Sequence, residues 1–216
     1  MKKLEIDIPL TSVNLKGDLV IPEDARGIVI FSHGSGSSRF SPRNKLVAEL
    51  FHQNHIGTLL FDLLTEEEDQ VYVNRFNIDL LVSRLIEVTE WMKEQPEVKE
   101  LPIAYFGAST GAASALRAAA YFGKEIKAVV SRGGRPDMAI EALPMVKSPT
   151  LLIVGGIDVP IIGMNKRAYD ELTSVKEMKI VPGATHLFEE PGKLAEVAEM
   201  AIVWYRTYLF KHEYSM

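Results

Sequence analysis

The chain has 216 residues, of which 47% are apolar and 25% charged, with a formal net charge of −5 and no cysteine. This length and composition predict one globular domain and exclude a disordered, collagen-like or disulfide-stapled chain. The lack of cysteine also excludes thiolate zinc sites, iron–sulfur clusters and a cysteine nucleophile. The acidic balance gives no electrostatic reason to bind nucleic acid or an anionic membrane, so neither is expected as a partner.

The first ten residues, MKKLEIDIPL, place Glu5, Asp7 and Pro9 where a signal peptide needs an apolar core. No window approaches the roughly 20 apolar residues of a membrane span. The sequence therefore predicts a soluble protein of a reducing compartment, most simply the cytoplasm.

Apolar and polar residues alternate in two early runs, 4–12 and 15–22, which predicts an antiparallel hairpin with one solvated face. Continuous apolar runs, typical of parallel strands covered by helices on both faces, follow at 27–32, 58–63, 103–106, 128–131 and 150–154, with a shorter one at 178–181. Apolar stripes at helical spacing predict helices at 74–95 and 193–210, and further helices are expected at 43–55, 111–122 and 165–175.

This alternation predicts an α/β fold with about eight strands in a mostly parallel sheet, an antiparallel N-terminal hairpin and helices on both faces. We expect residues 1–216 to form a single domain. The acidic run 66–69 is interpreted as a solvated loop. Residues 137–149 are too few for a large cap, so we expect an open site.

A strand, the motif Gly107-Ala-Ser109-Thr-Gly111 and an alanine-rich helix follow one another, as a nucleophile elbow requires. Only small residues fit such a tight turn at Gly107 and Gly111, and the turn presents Ser109 at a helix N-terminus. There the helix dipole and free N–H groups favour a developing anion. The alternative is that Ser109 merely caps a helix.

A serine nucleophile needs a base held by an acid, in the chain order Ser, acid, His on this kind of elbow. His186 follows the last predicted strand and is the expected base, whereas His212 lies in the polar tail. Asp158 follows an apolar run through two glycines and is the expected acid. Asp137 competes with it, although helix capping is the favoured interpretation of Asp137.

The glycine-rich loop His33-Gly34-Ser35-Gly36 follows an early strand, where a second oxyanion donor is expected. We predict an oxyanion hole from the backbone N–H groups of Ser35 and Thr110, with Gly36 as the neighbouring candidate. His33 precedes the helix in the wrong chain order for a base, so we expect it to shape the loop.

Other chemistry has weaker support in the sequence. The loop lacks the third glycine of a dinucleotide fingerprint and the Gly-Lys-Ser/Thr of a phosphate-binding loop, and the histidines form no zinc pattern. No metal and no cofactor are expected. Arg132 and Arg135, at a strand end near the site, and Arg39, beside the oxyanion loop, are candidates to hold a substrate carboxylate or phosphate. The alternative for these arginines is loop-bracing ion pairs.

The segments HGSGSS (33–38) and GASTG (107–111), with the downstream Asp158 and His186, resemble the α/β-hydrolases, and FDLLTEEE (61–68) and SRGGRPD (131–137) are similar to a subgroup of their dienelactone-hydrolase-like branch. More narrowly, the chain is similar to the small, capless dienelactone-hydrolase-like branch from about Leu15 to Tyr208. The resemblance implies Ser109, Asp158 and His186 as a catalytic triad. Dienelactone hydrolase itself uses a cysteine nucleophile, which this chain lacks, so the resemblance does not carry over its lactone substrate.

The expected activity is hydrolysis of a small-molecule acyl substrate, a carboxylic ester, thioester or lactone, through an acyl-enzyme on Ser109. One alternative is an inactive binding module, in which the triad residues would lie too far apart to hydrogen-bond. Another is an acyltransferase or peptidase, which would use the same catalytic groups. The oligomeric state is not readable from the sequence.

Overall fold

The computed structural model describes residues 1–210, in which eight strands form one sheet in the order β1-β2-β4-β3-β5-β6-β7-β8. The first two strands pair antiparallel, β2 pairs antiparallel with β4, and every other pairing is parallel. The strands are β1 Lys2–Pro9, β2 Asn14–Ile21, β3 Gly27–Ser32, β4 Ile56–Phe61, β5 Ile103–Ala108, β6 Ile126–Arg132, β7 Thr150–Gly155 and β8 Lys176–Val181. This confirms the predicted α/β architecture with its N-terminal hairpin.

Residues 1–210 contain six α-helices, of which five cover the two faces of the sheet and the short α2 buries no residue. The helices are α1 Pro42–His52, α2 Glu66–Gln70, α3 Ile78–Lys93, α4 Thr110–Phe122, α5 Val159–Glu171 and α6 Lys193–Tyr208. Two 3₁₀ segments, Tyr72–Phe76 and Pro136–Met145, precede α3 and β7. One apolar cluster joins the sheet to α1 and α6, and a second joins its other face to α3, α4 and α5.

The acidic run after β4 is a helix, so its interpretation as a solvated loop is wrong. Thr65 caps α2 through a reciprocal capping box with Glu68, which satisfies two free N–H groups of the first turn. Glu68 also accepts a 2.7 Å hydrogen bond from the buried Arg84 of α3. The acidic residues complement the positive end of the helix dipole.

Helix α5 begins at Val159, six residues before the predicted start, because Pro160 suits the first turn of a helix. Asp158 is therefore the residue immediately before α5. The carboxyl ends of β3, β5, β7 and β8 lie at one edge of the sheet, and the predicted site residues follow them. No helix within residues 1–210 is long and apolar enough to cross a membrane.

Candidate active site

Ser109 lies on the tight turn that joins β5 to α4, with backbone angles φ 50° and ψ −122°. A positive φ is unusual for a residue with a side chain and has to be held by its surroundings. A Cβ at Gly107 would lie 2.5 Å from Cα of Ala112, and one at Gly111 would lie 2.1 Å from the Ser32 carbonyl oxygen. The two glycines therefore permit the turn that presents Ser109.

The structure brings Ser109, His186 and Asp158 together from three different strand ends. His186 Nε2 lies 3.3 Å from Ser109 Oγ, and His186 Nδ1 lies 2.6 Å from Asp158 Oδ2. The Asp158 side chain is 14% exposed and the His186 side chain 36%, so the acid is shielded while the imidazole faces the opening. This is the arrangement in which a carboxylate orients an imidazole toward a serine hydroxyl.

The competing acid has a different partner. Arg135 holds Asp137 through two hydrogen bonds, 2.9 Å from Nε to Oδ1 and 2.8 Å from Nη2 to Oδ2. A bidentate pair of this kind fixes the carboxylate. Asp137 does not cap the 3₁₀ segment in which it lies. His212, the other histidine after Ser109, lies outside the described residues.

The glycine-rich loop after β3 lies directly against the nucleophile. A Cβ at Gly34 would be 3.0 Å from Ser109 Cβ and 3.8 Å from its Oγ, so Gly34 lies against the serine, a contact that the sequence did not single out. Ser35 N–H donates a 2.8 Å hydrogen bond to Thr110 Oγ1. Gly36 has φ +67°, and a Cβ there would lie 3.7 Å from Arg75 Nη1.

Of the two predicted oxyanion donors, Thr110 N–H is at the start of α4, where amides have no intrahelical acceptor. The Ser35 amide is close to Thr110, but its hydrogen bond is taken by the Thr110 hydroxyl. An oxyanion bound there would have to replace that hydroxyl as the acceptor.

His33 connects the glycine-rich loop to the chain after β4 through two hydrogen bonds. Leu63 N–H donates to its Nε2 at 3.1 Å, so the ring proton is on Nδ1, which donates to Gly34 O at 2.9 Å. Burial lowers the pKa of His33 and favours the neutral ring that this arrangement needs. The loop-shaping interpretation of His33 agrees with these contacts.

Arg39 is not free to hold a substrate. Its guanidinium contacts three carboxylates, Asp62 at 3.1 Å, Asp18 at 2.8 Å and Glu5 at 3.1 Å, and its side chain is 9% exposed. This network ties the chain after the glycine-rich loop to the hairpin and to the end of β4. Arg135 is likewise occupied by Asp137.

Arg132 is buried beneath the loop that carries His186. Its Nη1 lies 3.4 Å from Leu187 O and its Nη2 3.5 Å from Asn44 Oδ1, while its Nε has no hydrogen-bond partner. Burial and the nearby Arg43 lower the pKa of Arg132 to about 10. These contacts fit the alternative in which Arg132 stabilises the loop that carries His186. Within residues 1–210 no cluster of His, Asp or Glu is arranged to hold a metal ion.

Residues 45–214 match the family model described as the dienelactone hydrolase family. The chain belongs to the dienelactone hydrolase family. A solved dienelactone hydrolase from Anabaena variabilis is 52% identical, superposes with a TM-score of 0.93, and the match covers 96% of this chain and 98% of that one. Est1E from Butyrivibrio proteoclasticus is 15% identical with a TM-score of 0.81, covering 94% of this chain and 98% of its own, and shares the fold.

The chain also matches two curated relatives from Mycobacterium tuberculosis strains, which carry the name "Putative phosphoribosyl transferase". Each is 52% identical over 205 residues, which is 95% of this chain but 46% of the relative. The chain thus spans about half the length of these relatives. The predicted single domain stays a prediction.

Proposed function

We propose that the protein is a serine hydrolase that cleaves a small ester-type substrate through an acyl-enzyme on Ser109. The observation that carries the proposal is the Ser109–His186–Asp158 arrangement, with distances of 3.3 and 2.6 Å. An inactive binding module would not require these distances. Membership of the dienelactone hydrolase family supports hydrolysis in general.

In the proposed first step, Ser109 Oγ attacks the substrate carbonyl carbon while its proton passes to His186 Nε2. Asp158 orients the ring and stabilises its protonated form. The carbonyl electrons move onto the oxygen, which accepts hydrogen bonds from the Thr110 amide and from the Ser35 amide as the latter leaves the Thr110 hydroxyl. The C–O bond to the alcohol then breaks, and the alcohol takes the proton from His186.

The second step follows the same order, with a water molecule in place of the serine hydroxyl. His186 removes a proton from the water that attacks the acyl carbon and gives it to Ser109 Oγ as the Ser109–acyl bond breaks and the acid leaves. In a transferase the same acyl-enzyme passes its acyl group to an alcohol or amine instead of water, whereas in a peptidase it forms from an amide with an amine as the leaving group. The choice between these outcomes therefore depends on the acceptor and on the leaving group. A charged acyl group is not part of the proposal, because Arg39 and Arg135 are paired and Arg132 is buried.

The experiment is turnover of p-nitrophenyl acetate by four variants. We expect Ser109→Ala and His186→Gln to lower kcat/KM by at least about 10³-fold and Asp158→Asn by about 10³- to 10⁴-fold. Asp137→Asn is the matched control and should stay within about threefold. Unchanged turnover by Ser109→Ala would overturn the proposal. Adding a primary alcohol and measuring ester product against free acid separates transfer from hydrolysis.

A further inference from the structure

The side chain of Thr110 occupies one of the two predicted oxyanion donors. Its Oγ1 accepts a 2.8 Å hydrogen bond from Ser35 N–H, and Thr110 is buried. The amide of Thr110 itself is the other predicted donor and has no intrahelical acceptor at the start of α4. The position expected for an oxyanion is therefore bordered by both amides and by the Thr110 hydroxyl.

The glycine-rich loop presents the Ser35 amide on a tight turn. Ser37 N–H donates to Gly34 O at 3.2 Å across this turn, and Gly36, its third residue, has φ +67°. A hydrogen bond between the first and fourth residues, with a positive φ at the third, is typical of a type II turn. The hydrogen bond of the turn does not use the Ser35 amide, so the partner of this amide comes from outside the loop.

The loop is held against the nucleophile by contacts other than the Thr110 hydroxyl. The imidazole of His33 is anchored to the chain after β4 and donates from Nδ1 to Gly34 O at 2.9 Å. Gly34 also packs against Ser109, since a Cβ at Gly34 would lie 3.0 Å from Ser109 Cβ. The consequence of the hydrogen bond to Thr110 is therefore to control which acceptors reach the Ser35 amide.

An acceptor on the substrate has to compete with Thr110 Oγ1 for the Ser35 amide. A neutral ester carbonyl oxygen gains little, because the exchange of one neutral acceptor for another changes the free energy only slightly. An oxyanion is the stronger acceptor, since hydrogen bonds to charged groups are about twice as strong as neutral ones. The Ser35 hydrogen bond to the substrate therefore forms as the charge develops, and an interaction made only in the transition state raises kcat without tightening substrate binding.

We propose that Thr110 is a positioning residue whose hydroxyl reserves the Ser35 amide for the transition state. This role rests on the proposed serine-hydrolase function. In the resting protein the hydroxyl accepts from the amide, and as negative charge develops on the substrate oxygen the amide turns to that oxygen and releases the hydroxyl. The hydroxyl thus acts through the amide, and it makes the site discriminate between a neutral carbonyl oxygen and an oxyanion.

The test compares two variants that differ by one oxygen atom, Thr110→Ala and Thr110→Ser. Thr110→Ala opens the Ser35 amide to a neutral carbonyl oxygen, whereas Thr110→Ser keeps a hydroxyl on it. The probes are acetophenone, which binds as a neutral ketone, and trifluoroacetophenone, which forms an adduct with an activated serine. In this adduct Ser109 Oγ is bonded to the carbonyl carbon, the Ser109 proton has passed to His186, and the carbonyl oxygen has become an oxyanion.

Inhibition of p-nitrophenyl acetate turnover gives the inhibition constant Ki of each ketone. Thr110→Ala should bind acetophenone about 2- to 10-fold more tightly than the wild type, which is the net effect of one neutral hydrogen bond. Its Ki for trifluoroacetophenone and its kcat/KM should stay within about threefold, because both already include the Ser35 hydrogen bond to an oxyanion. The ratio of the acetophenone Ki to the trifluoroacetophenone Ki should therefore fall in Thr110→Ala and keep its wild-type value in Thr110→Ser.

An unchanged ratio in Thr110→Ala, with Ser109-dependent turnover retained, overturns the role of Thr110 and keeps the hydrolase. At least about tenfold weaker binding of trifluoroacetophenone, or loss of the fold in Thr110→Ala beside a folded Thr110→Ser, would make the hydroxyl a tether of the loop or a direct oxyanion donor. A Thr110→Ser protein that behaves like Thr110→Ala would assign the effect to the lost methyl group. Each of these results refutes the proposal, and absence of any Ser109-dependent turnover overturns the proposed function as well.

Discussion

Replacing His33 with Phe should destabilise the protein and slow its proposed reaction, because the buried ring joins the oxyanion loop to the chain after β4. The imidazole accepts from Leu63 N–H at 3.1 Å and donates to Gly34 O at 2.9 Å. Phenylalanine fills a similar volume without making either bond. The change therefore measures the contribution of the two hydrogen bonds with little change in packing.

Each buried backbone group left without a partner costs about 1–3 kcal/mol. Leu63 is 1% exposed, so its N–H should take the full penalty, whereas Gly34 is half-buried and should take the lower end. We expect a loss of about 2–4 kcal/mol in the free energy of unfolding. With an m-value of about 2–3 kcal/mol/M for a chain of this size, the urea midpoint falls by about 1 M.

The measurements are urea unfolding by circular dichroism and kcat on p-nitrophenyl acetate. We expect kcat to fall about 10- to 100-fold, less than the loss of a whole oxyanion donor, since the loop shifts but keeps its amides. The control is His55→Asn, because His55 is exposed and its φ of +61° suits asparagine. A His33→Phe protein with the midpoint and kcat of the control would refute the reasoning.

Two further predictions concern charged groups away from the triad. Arg39→Met should lower the free energy of unfolding by about 2–3 kcal/mol in urea unfolding, because it leaves partly solvated carboxylates without their cation. In the same experiment Glu5→Gln should cost under about 0.5 kcal/mol, because the Glu5 carboxylate is 70% exposed. Burial and, to a smaller extent, the charge of Lys3 lower the pKa of His52 from 6.5 to about 4. Between these two pH values the unfolded chain binds a proton at this imidazole and the native state does not. Stability should therefore fall as the pH drops from about 6.5 to about 4, and His52→Gln should flatten this part of the pH profile of the urea midpoint; an unchanged slope would contradict the assignment.

The sequence predicted the features that depend on short-range spacing. The motif around Ser109 needs small residues at Gly107 and Gly111 whatever surrounds it, and its strand and helix are continuous in the chain. Ser109, Asp158 and His186 follow β5, β7 and β8, and because these strands run parallel, all three lie at one edge of the sheet. Their meeting within hydrogen-bonding distance follows from that topology.

The remaining features depend on contacts between distant parts of the chain. Arg39 finds Glu5, Asp18 and Asp62 because β1, β2 and β4 are neighbours, and no local pattern reports that proximity. The acidic helix α2 did carry a local signal, the Thr65-x-x-Glu68 capping box, which the run of charges obscured. The hydrogen bond between Ser35 N–H and Thr110 Oγ1 also joins two segments far apart in sequence.

The central claim is that Ser109 is the nucleophile of the proposed hydrolase. A fluorophosphonate forms a covalent phosphonyl adduct with an activated serine as fluoride leaves, and mass spectrometry of the intact chain and its peptides counts and places the adduct. We predict one adduct per chain, on Ser109, with labelling abolished in Ser109→Ala and strongly slowed in His186→Gln. An adduct on another residue, or none on a protein that hydrolyses p-nitrophenyl acetate, would contradict the account.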